Sequence, residues 1–231
     1  MQKFFRHATF AVLIAASALS ATANETIRKA VEANFTVKVD KITKTDYFGL
    51  YEVFADGQII YTDEKATAFI VGNIYDGKTR ANVTGKRLIA NLPLDLAIKQ
   101  VRGNGKGVLI TFEDPNCGYC KRLARDVQKL KDVTVYTFLM PVLGPDSVAK
   151  SQAIWCAADR AKAWNDWMVN NAKPAEPKKD CDAPIEKLVS LGHSFEVTGT
   201  PTIIFSDGTK APGAIPLGDI ERKLADIAKR S

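Results

Sequence analysis

Two cysteines separated by two residues, Cys117 and Cys120, stand where a short apolar run gives way to an amphipathic pattern. The apolar run, residues 108–112, predicts a buried strand, and Leu123 and Val127 follow at helical spacing. A strand that leads directly into a helix places the first cysteine at the helix N-terminus, where unpaired N–H groups and the helix dipole stabilise a thiolate. The spacing therefore favours a reactive dithiol, with Cys117 as the nucleophile and Cys120 as the resolving thiol.

Other uses of a C-x-x-C pair fit this sequence poorly. A c-type haem site needs a histidine after the second cysteine, and this position is Lys121. A zinc site needs two more closely spaced ligands, whereas Cys156 and Cys181 are far apart and His193 is the only histidine beyond residue 23. A purely structural disulfide would close a very small loop, worth about 2 kcal/mol. We therefore expect redox chemistry, no metal and no cofactor.

The first 23 residues have the pattern of a secretory leader. Lys3 and Arg6 precede an apolar run that is too short to span a bilayer, and Ala21-Thr22-Ala23 is a suitable cleavage site. We expect export to the periplasm with cleavage after Ala23. Removing the leader leaves 30 basic and 26 acidic residues, a net charge of +4 that gives no indication of nucleic-acid binding.

The other two cysteines, Cys156 and Cys181, predict a structural bridge. Four cysteines permit three pairings, and an oxidising compartment allows disulfides to persist. A bond between Cys156 and Cys181 would enclose about 25 residues and stabilise the fold by roughly 3.5 kcal/mol in the chain-entropy description. We favour this structural role over a second redox centre.

The chain before the dithiol predicts a small α+β domain, residues 24–80, and a linker, residues 81–100. The domain pattern comprises a helix at 26–34, strands at 35–39, 47–54, 58–62 and 67–75, and a hairpin turn at Asp56-Gly57. The linker pattern is helical or partly helical with a break at Pro93. A domain of about 55 residues buries too little surface to be stable alone. We therefore expect its role to be self-association.

Residues 101–231 predict a mixed α/β domain. After the dithiol helix come a strand at 133–139, one helical stretch at 147–169, a polar loop, a short helix at 184–191, strands from 202, and a final helix. The order β-α-β, helical insert, β-β-α is that of a thioredoxin fold carrying an inserted helical subdomain. Gly199-Thr200-Pro201 precedes the strand at 202–205.

The motif set as a whole resembles the DsbC/DsbG family of periplasmic disulfide isomerases. It comprises residues 112–120, Gly199-Thr200-Pro201, Ser206-Asp207-Gly208-Thr209 and Pro212-Gly213. Gly118-Tyr119 between the cysteines is similar to the DsbC branch. The resemblance covers nearly the whole mature chain and implies a V-shaped homodimer formed through residues 24–80. It also implies a dithiol kept reduced by a membrane reductase of the DsbD type.

The resemblance further implies that Thr200, Pro201, Gly118 and Tyr119 contact substrates, which would be misoxidised exported proteins. Thioredoxin itself has a buried acid six residues before the first cysteine, and this position is Thr111; Glu113 and Asp114 are assigned no such role. We expect a disulfide isomerase and reductase. A DsbA-like oxidase, or a chaperone with secondary redox activity, is the alternative; the N-terminal domain argues against the oxidase.

Overall fold

The structure, a computed structural model, describes residues 8–177 and 180–230. The chain divides into two compact units, Met1–Gly72 and Asn73–Ser231. The division comes earlier than the predicted boundary at residue 80, so the segment expected to be a linker is part of the second unit. Within the described residues, no helix has both the length and the apolar character that a membrane crossing requires.

The first unit is one helix on a four-stranded antiparallel meander. The sheet order follows the chain order, and Ile27 and Val31 of the helix pack against its inner face. The elements are α1 (Ala8–Phe35), β1 (Val39–Lys44), β2 (Tyr51–Ala55), β3 (Gln58–Thr62) and β4 (Phe69–Val71). The predicted hairpin at Asp56-Gly57 is confirmed as the β2–β3 turn.

The beginning of the first unit differs from the sequence prediction in two ways. The predicted helix at 26–34 is the last part of a longer α1, and the first strand begins at Val39. Phe35 ends the helix instead of opening the strand, because the next residue, Thr36, takes a left-handed backbone conformation with φ 55°. The Phe35 ring packs edge-on against Phe69, with centroids 5.2 Å apart. Of the predicted leader, residues 1–7 lie outside the described residues, and α1 begins at Ala8. Cleavage after Ala23 stays a prediction.

The second unit is a five-stranded sheet flanked by helices. Its strands are β5 (Ile98–Arg102), β6 (Gly107–Glu113), β7 (Val133–Leu139), β8 (Thr202–Phe205) and β9 (Lys210–Pro212). Its helices are α2 (Val83–Ala90), a 3₁₀ turn (Leu94–Leu96), α3 (Gly118–Val127), α4 (Pro145–Trp155), α5 (Arg160–Met168), α6 (Ile185–Ser194) and α7 (Leu217–Arg230). The thioredoxin-like order predicted from the sequence is confirmed.

The sheet order β5-β7-β6-β8-β9 places β6, the strand before the dithiol, at the centre. β6 pairs in parallel with β7 and antiparallel with β8. Alternate residues of a strand face opposite sides, so Leu109 packs in one cluster with part of α3 and with α7. Ile110 and Phe112 pack in the other cluster with Cys120 of α3 and with α4, α5 and α6. A strand buried on both faces explains the continuous apolar run.

Two parts of the second unit correct the sequence prediction. Residues 98–102, expected in the linker and the loop after it, form edge strand β5, which pairs antiparallel with β7. The single helix expected at 147–169 is two helices, interrupted at 156–159. The side chain of Asp159 accepts a hydrogen bond from the Lys162 N–H and so starts α5 anew.

Candidate active site

The dithiol lies at the junction of β6 and α3. Cys117 is the residue that caps α3, with extended backbone angles (φ −74°, ψ 120°), and Cys120 is in the first turn. Both are free thiols. Cys117 keeps 8% of its surface exposed, whereas Cys120 is fully buried. The strand-to-helix junction therefore presents one sulfur to an incoming molecule and shields the other.

The Thr200-Pro201 segment lies against Cys117. The peptide bond between Thr200 and Pro201 is cis, and the Cys117 thiol donates to the Thr200 carbonyl oxygen at 3.3 Å. The fold therefore brings Cys117 into contact with Thr200, a predicted site residue 83 positions away in sequence, which is followed by Pro201. The other two, Gly118 and Tyr119, lie on the outer side: a Cβ on Gly118 would meet no atom within 4 Å, and the Tyr119 side chain is 66% exposed.

Asp114 ties the loop before Cys117 to the loop after β7. Its buried carboxylate accepts hydrogen bonds from the N–H groups of Val142 and Leu143 at 2.8 and 2.9 Å. The Ser147 hydroxyl donates to the same carboxylate at 2.7 Å, as does the Asn116 N–H. The Asp114 carbonyl accepts from the Cys117 N–H. A buried acid that accepts four hydrogen bonds fixes the loop that carries Cys117, a role that the sequence did not indicate.

Trp167 of α5 holds the same loop from the insert. Its indole N–H donates to the Pro115 carbonyl at 2.6 Å. The ammonium groups of Lys121 and Lys150 lie 3.8 and 4.8 Å from the centre of its ring. Burial lowers the pKa of Lys121, and the neighbouring charges of Lys150 and Arg125 lower it further. Trp167 of α5 thus holds the loop before Cys117 and brings the positive charges of Lys121 and Lys150 together beside the dithiol.

Glu113, the last residue of β6, is a buried acid. Its Oε1 accepts a hydrogen bond from the Thr111 hydroxyl at 2.7 Å, and its Oε2 has no hydrogen-bond partner. Burial raises its pKa to about 8, although the hydroxyls of Thr111 and Thr137 act in the opposite direction. Burial also raises the pKa of the Cys120 thiol far above its usual range, and the charge of Glu113 adds to this. The available sequence signal was an acid at the end of an apolar strand.

The second pair of cysteines is bonded. Cys156, at the C-terminal end of α4, and Cys181, before α6, form a disulfide with Cα atoms 5.8 Å apart. The bond closes a loop whose ends are 25 residues apart and joins the insert to the segment that returns to the sheet. Among the described residues, no group of three or more His, Cys, Asp and Glu side chains is arranged to hold a metal ion.

Comparison with known proteins agrees with this geometry. A family model described as a thioredoxin-like domain matches residues 94–228. A second, described as the N-terminal domain of disulfide bond isomerase protein, matches residues 16–85. The crystal structure of a disulfide interchange protein from Neisseria gonorrhoeae aligns with a TM-score of 0.55 at 45% identity, covering 58% of this chain and 96% of that one.

Curated relatives extend the match over most of the chain. The probable thiol:disulfide interchange protein DsbC of Bordetella parapertussis is 46% identical over 193 residues, which is 80% of this chain and 68% of the relative. The thiol:disulfide interchange protein DsbC of Escherichia coli is 30% identical over 225 residues, 94% of each chain. The chain is thus a thiol:disulfide oxidoreductase, and it belongs to the DsbC family of thiol:disulfide interchange proteins.

Proposed function

We propose that this protein is a periplasmic disulfide isomerase that rearranges wrong disulfides in exported proteins through Cys117 and Cys120. The observation that carries the proposal is the asymmetry of the dithiol. Cys117, at the start of α3, keeps 8% of its surface exposed, and Cys120 is fully buried one turn behind it. In such a pair the first sulfur can form a mixed disulfide with the substrate while the second remains an unreacted thiol.

The reaction begins with the Cys117 thiolate, which attacks one sulfur of a substrate disulfide. A bond forms between Cys117 and that sulfur, and the other substrate sulfur leaves as a thiolate. If a different substrate thiolate then attacks the mixed disulfide, Cys117 is regenerated and the substrate carries a new pairing. If Cys120 attacks instead, the substrate leaves reduced by two electrons and the enzyme keeps the Cys117–Cys120 disulfide.

The residues proposed to hold substrate surround Cys117. The Thr200 carbonyl, which accepts from the thiol at 3.3 Å, and the backbone before Pro201 would pair with an extended substrate segment. The exposed ring of Tyr119 and the open surface at Gly118 leave room for varied side chains. Recognition through backbone hydrogen bonds does not select particular substrate side chains. It therefore suits an enzyme whose substrates have a disulfide in common but no common sequence.

Homodimer formation is the proposed task of the first unit. Phe48 is 92% exposed, and Ile70 and Val71 of edge strand β4 are more than half exposed. Exposed apolar residues on a strand edge are typical of a surface that another chain covers. The leader of residues 1–23 supports the periplasmic location.

The isomerase cycle requires a reduced Cys117, because an oxidised pair cannot attack a substrate. Each exit through Cys120 leaves the enzyme oxidised, so an electron donor must restore the dithiol. We propose a membrane thiol reductase of the DsbD type, as the family resemblance implies. Trapping thiols by rapid alkylation in cells tests this: the Cys117–Cys120 pair should be mainly reduced, whereas an oxidase would be mainly oxidised.

Refolding of a scrambled multi-disulfide substrate tests the function itself. Cys117→Ser should abolish recovery of native substrate, because no mixed disulfide forms. Cys120→Ser should keep measurable isomerisation but accumulate covalent enzyme–substrate adducts, visible on non-reducing gels. The double Cys→Ser variant is the control for chaperone activity. If it restores substrate activity as well as the unmodified protein, the isomerase proposal is wrong.

A further inference from the structure

We propose that Lys121 forms a subsite beside Cys117 that binds a carboxylate of the substrate, so that disulfides flanked by Asp or Glu are attacked fastest. The proposal deepens the proposed function and rests on it. It adds a preference for acidic segments to a recognition that otherwise depends on the substrate backbone.

Lys121 lies one helical turn beyond the nucleophile. Its backbone N–H donates to the Cys117 carbonyl at 3.0 Å, which closes the first turn of α3. Side chains four residues apart share one face of a helix, so Cys117, Lys121 and Arg125 follow one another along the same face. Arg125 is exposed, and Lys121 is partly buried. A positively charged stripe, Lys121 and Arg125, thus begins beside the reactive sulfur.

Neutral groups hold the Lys121 ammonium in place. It lies 3.8 Å from the centre of the Trp167 ring and donates to the side-chain oxygen of Asn171 at 2.8 Å. Trp167 is itself anchored, because its indole N–H donates to the Pro115 carbonyl in the loop before Cys117. An aromatic face and an amide oxygen fix the position of an ammonium group without cancelling its charge.

The acids on the surrounding helices already have partners. Each of the three acids on α3, α4 and α5 is paired with a lysine: Asp126 with Lys129, Asp146 with Lys150, and Asp166 with Lys162. Lys150 also approaches the Trp167 ring, at 4.8 Å, but Asp146 offsets its charge. Within residues 8–177 and 180–230, no carboxylate forms an ion pair with Lys121 or Arg125. The stripe therefore keeps its positive charge.

The surroundings of Lys121 favour the arrival of an anion. Burial lowers the pKa of Lys121, and the like charges of Lys150 and Arg125 act in the same direction. A fixed and partly desolvated cation beside other cations is stabilised when a negative charge comes near. A carboxylate carried by the substrate supplies that charge.

The distance along α3 suits a residue close to the attacked cysteine. One helical turn advances about 5.4 Å, and two residues of an extended chain advance about 6.6 Å. Side chains two positions apart also lie on the same side of an extended segment. When the substrate sulfur is on Cys117, a Glu or Asp two positions from the substrate cysteine is therefore within reach of Lys121.

Peptides whose single cysteine is bonded to pyridinethiol test this preference with the reduced full-length protein. The Cys117 thiolate attacks the peptide sulfur, a mixed disulfide forms, and the pyridinethiolate that leaves takes a proton and is followed by its absorbance. The peptides carry Glu, Gln or Lys two positions before or after the cysteine and are otherwise identical.

We expect the Glu peptide to react about fivefold faster than the Gln peptide at low salt, at one or both positions, and the Lys peptide to react more slowly. Added salt should bring the three rates together, because it screens the charge of Lys121. Both measurements use the unsubstituted protein, so they test the subsite even if a variant does not fold.

Four variants assign the preference to Lys121. The ratio of the Glu-peptide rate to the Gln-peptide rate within each variant removes any general effect on Cys117. Lys121→Gln should bring this ratio close to one, and Lys121→Glu should invert it. Asn171→Asp keeps the lysine but gives it a carboxylate partner, so it should also lower the ratio. Lys129→Gln, the same change at a lysine paired with Asp126, should leave the ratio unchanged.

Equal rates for the Glu and Gln peptides in the unsubstituted protein, or a Glu preference that survives in Lys121→Gln, would overturn the inference and leave the isomerase function in place. Failure of every peptide to release pyridinethiol would instead contradict the dithiol function, so the two failures are distinguishable.

Discussion

Cys117 and Cys120 are three positions apart, yet their surroundings differ in the way that thiol exchange requires. Cys117 is at the start of α3, contacts the Thr200 carbonyl and remains partly exposed. Cys120 is buried beside Glu113, and burial raises the pKa of its thiol. Burial therefore disfavours the thiolate of Cys120, the sulfur that is proposed to end the encounter with substrate.

Glu113 should also make the folded protein less stable as the pH rises. Its pKa in the folded state is about 8, above the ordinary value of 4.5, so between these limits the folded state binds more protons than the unfolded state. The free energy of unfolding therefore falls from about pH 5 to pH 8. Urea unfolding at several pH values should show this decline in the unsubstituted protein and a much flatter profile in Glu113→Gln.

The matched control for this measurement is Glu186→Gln, which changes an exposed glutamate on α6. It should keep the decline of the unsubstituted protein. A Glu113→Gln variant with the same slope as the unsubstituted protein would show that Glu113 is ionised in the fold across this range.

Asp114 connects two loops that carry the site. The loop from β6 to α3 holds Cys117, and the loop from β7 to α4 supplies Val142, Leu143 and Ser147 to the same carboxylate. Asp114→Ala would leave these donors without their acceptor, so we expect a loss of about 2 to 4 kcal/mol in the free energy of unfolding. Urea denaturation measures it.

The control for Asp114 is Asp166→Ala, which removes an ion pair with Lys162 on an exposed helix turn. It should cost less than about 1 kcal/mol. If Asp114→Ala lowered the free energy of unfolding by no more than this, the two loops would keep their positions without the Asp114 carboxylate.

The Cys156–Cys181 disulfide joins α4 to the segment before α6, and its role should be structural. Mild thiol should reduce the Cys117–Cys120 pair, once oxidised, before it reduces this bond, as differential alkylation with mass spectrometry would show. Replacing both Cys156 and Cys181 by serine should cost up to about 3.5 kcal/mol of stability without removing dithiol exchange. Simultaneous reduction of both pairs would contradict a structural role.

The sequence predicted elements best where a local pattern settles the structure. The strand at 133–139 and the hairpin at Asp56-Gly57 depend on alternation and turn chemistry, and both are observed. β5 was missed because only its pairing with β7 makes residues 98–102 a strand. The interruption after Trp155 was missed because the Asp159 cap is a single side-chain hydrogen bond that periodicity cannot show.

The residues of the candidate site likewise differ in whether a local sequence pattern predicts them. Cys117 and Cys120 follow from their spacing and their place before a helix, and Thr200-Pro201 from the family resemblance. The network of Asp114 could not be predicted, because three of its four donors are 28 to 33 positions away. The burial of Glu113 likewise depends on α3 covering one face of β6, which is a tertiary fact.

The first unit contains no cysteine and exposes apolar residues, so we expect its contribution to function to be assembly of the dimer. A chain that begins at Asn73 retains the complete second unit, including α2, whose Gly85 lies close to the backbone of Gly208. We expect this chain to be a folded monomer by light scattering and to reduce simple disulfides at an unchanged rate, because the surroundings of Cys117 are intact.

The same truncated chain should lose most of its ability to rearrange a scrambled substrate. In a dimer, one subunit can retain the substrate while the other attacks, and this raises the effective concentration of the second dithiol. The monomer loses that advantage and should also be oxidised more readily by an oxidase that acts on accessible dithiols. Refolding yield of the scrambled substrate, with the rate of simple disulfide reduction as the control, measures the difference. A truncated chain that stays dimeric, or that rearranges the substrate as well as the full mature protein, would show that the first unit serves another purpose.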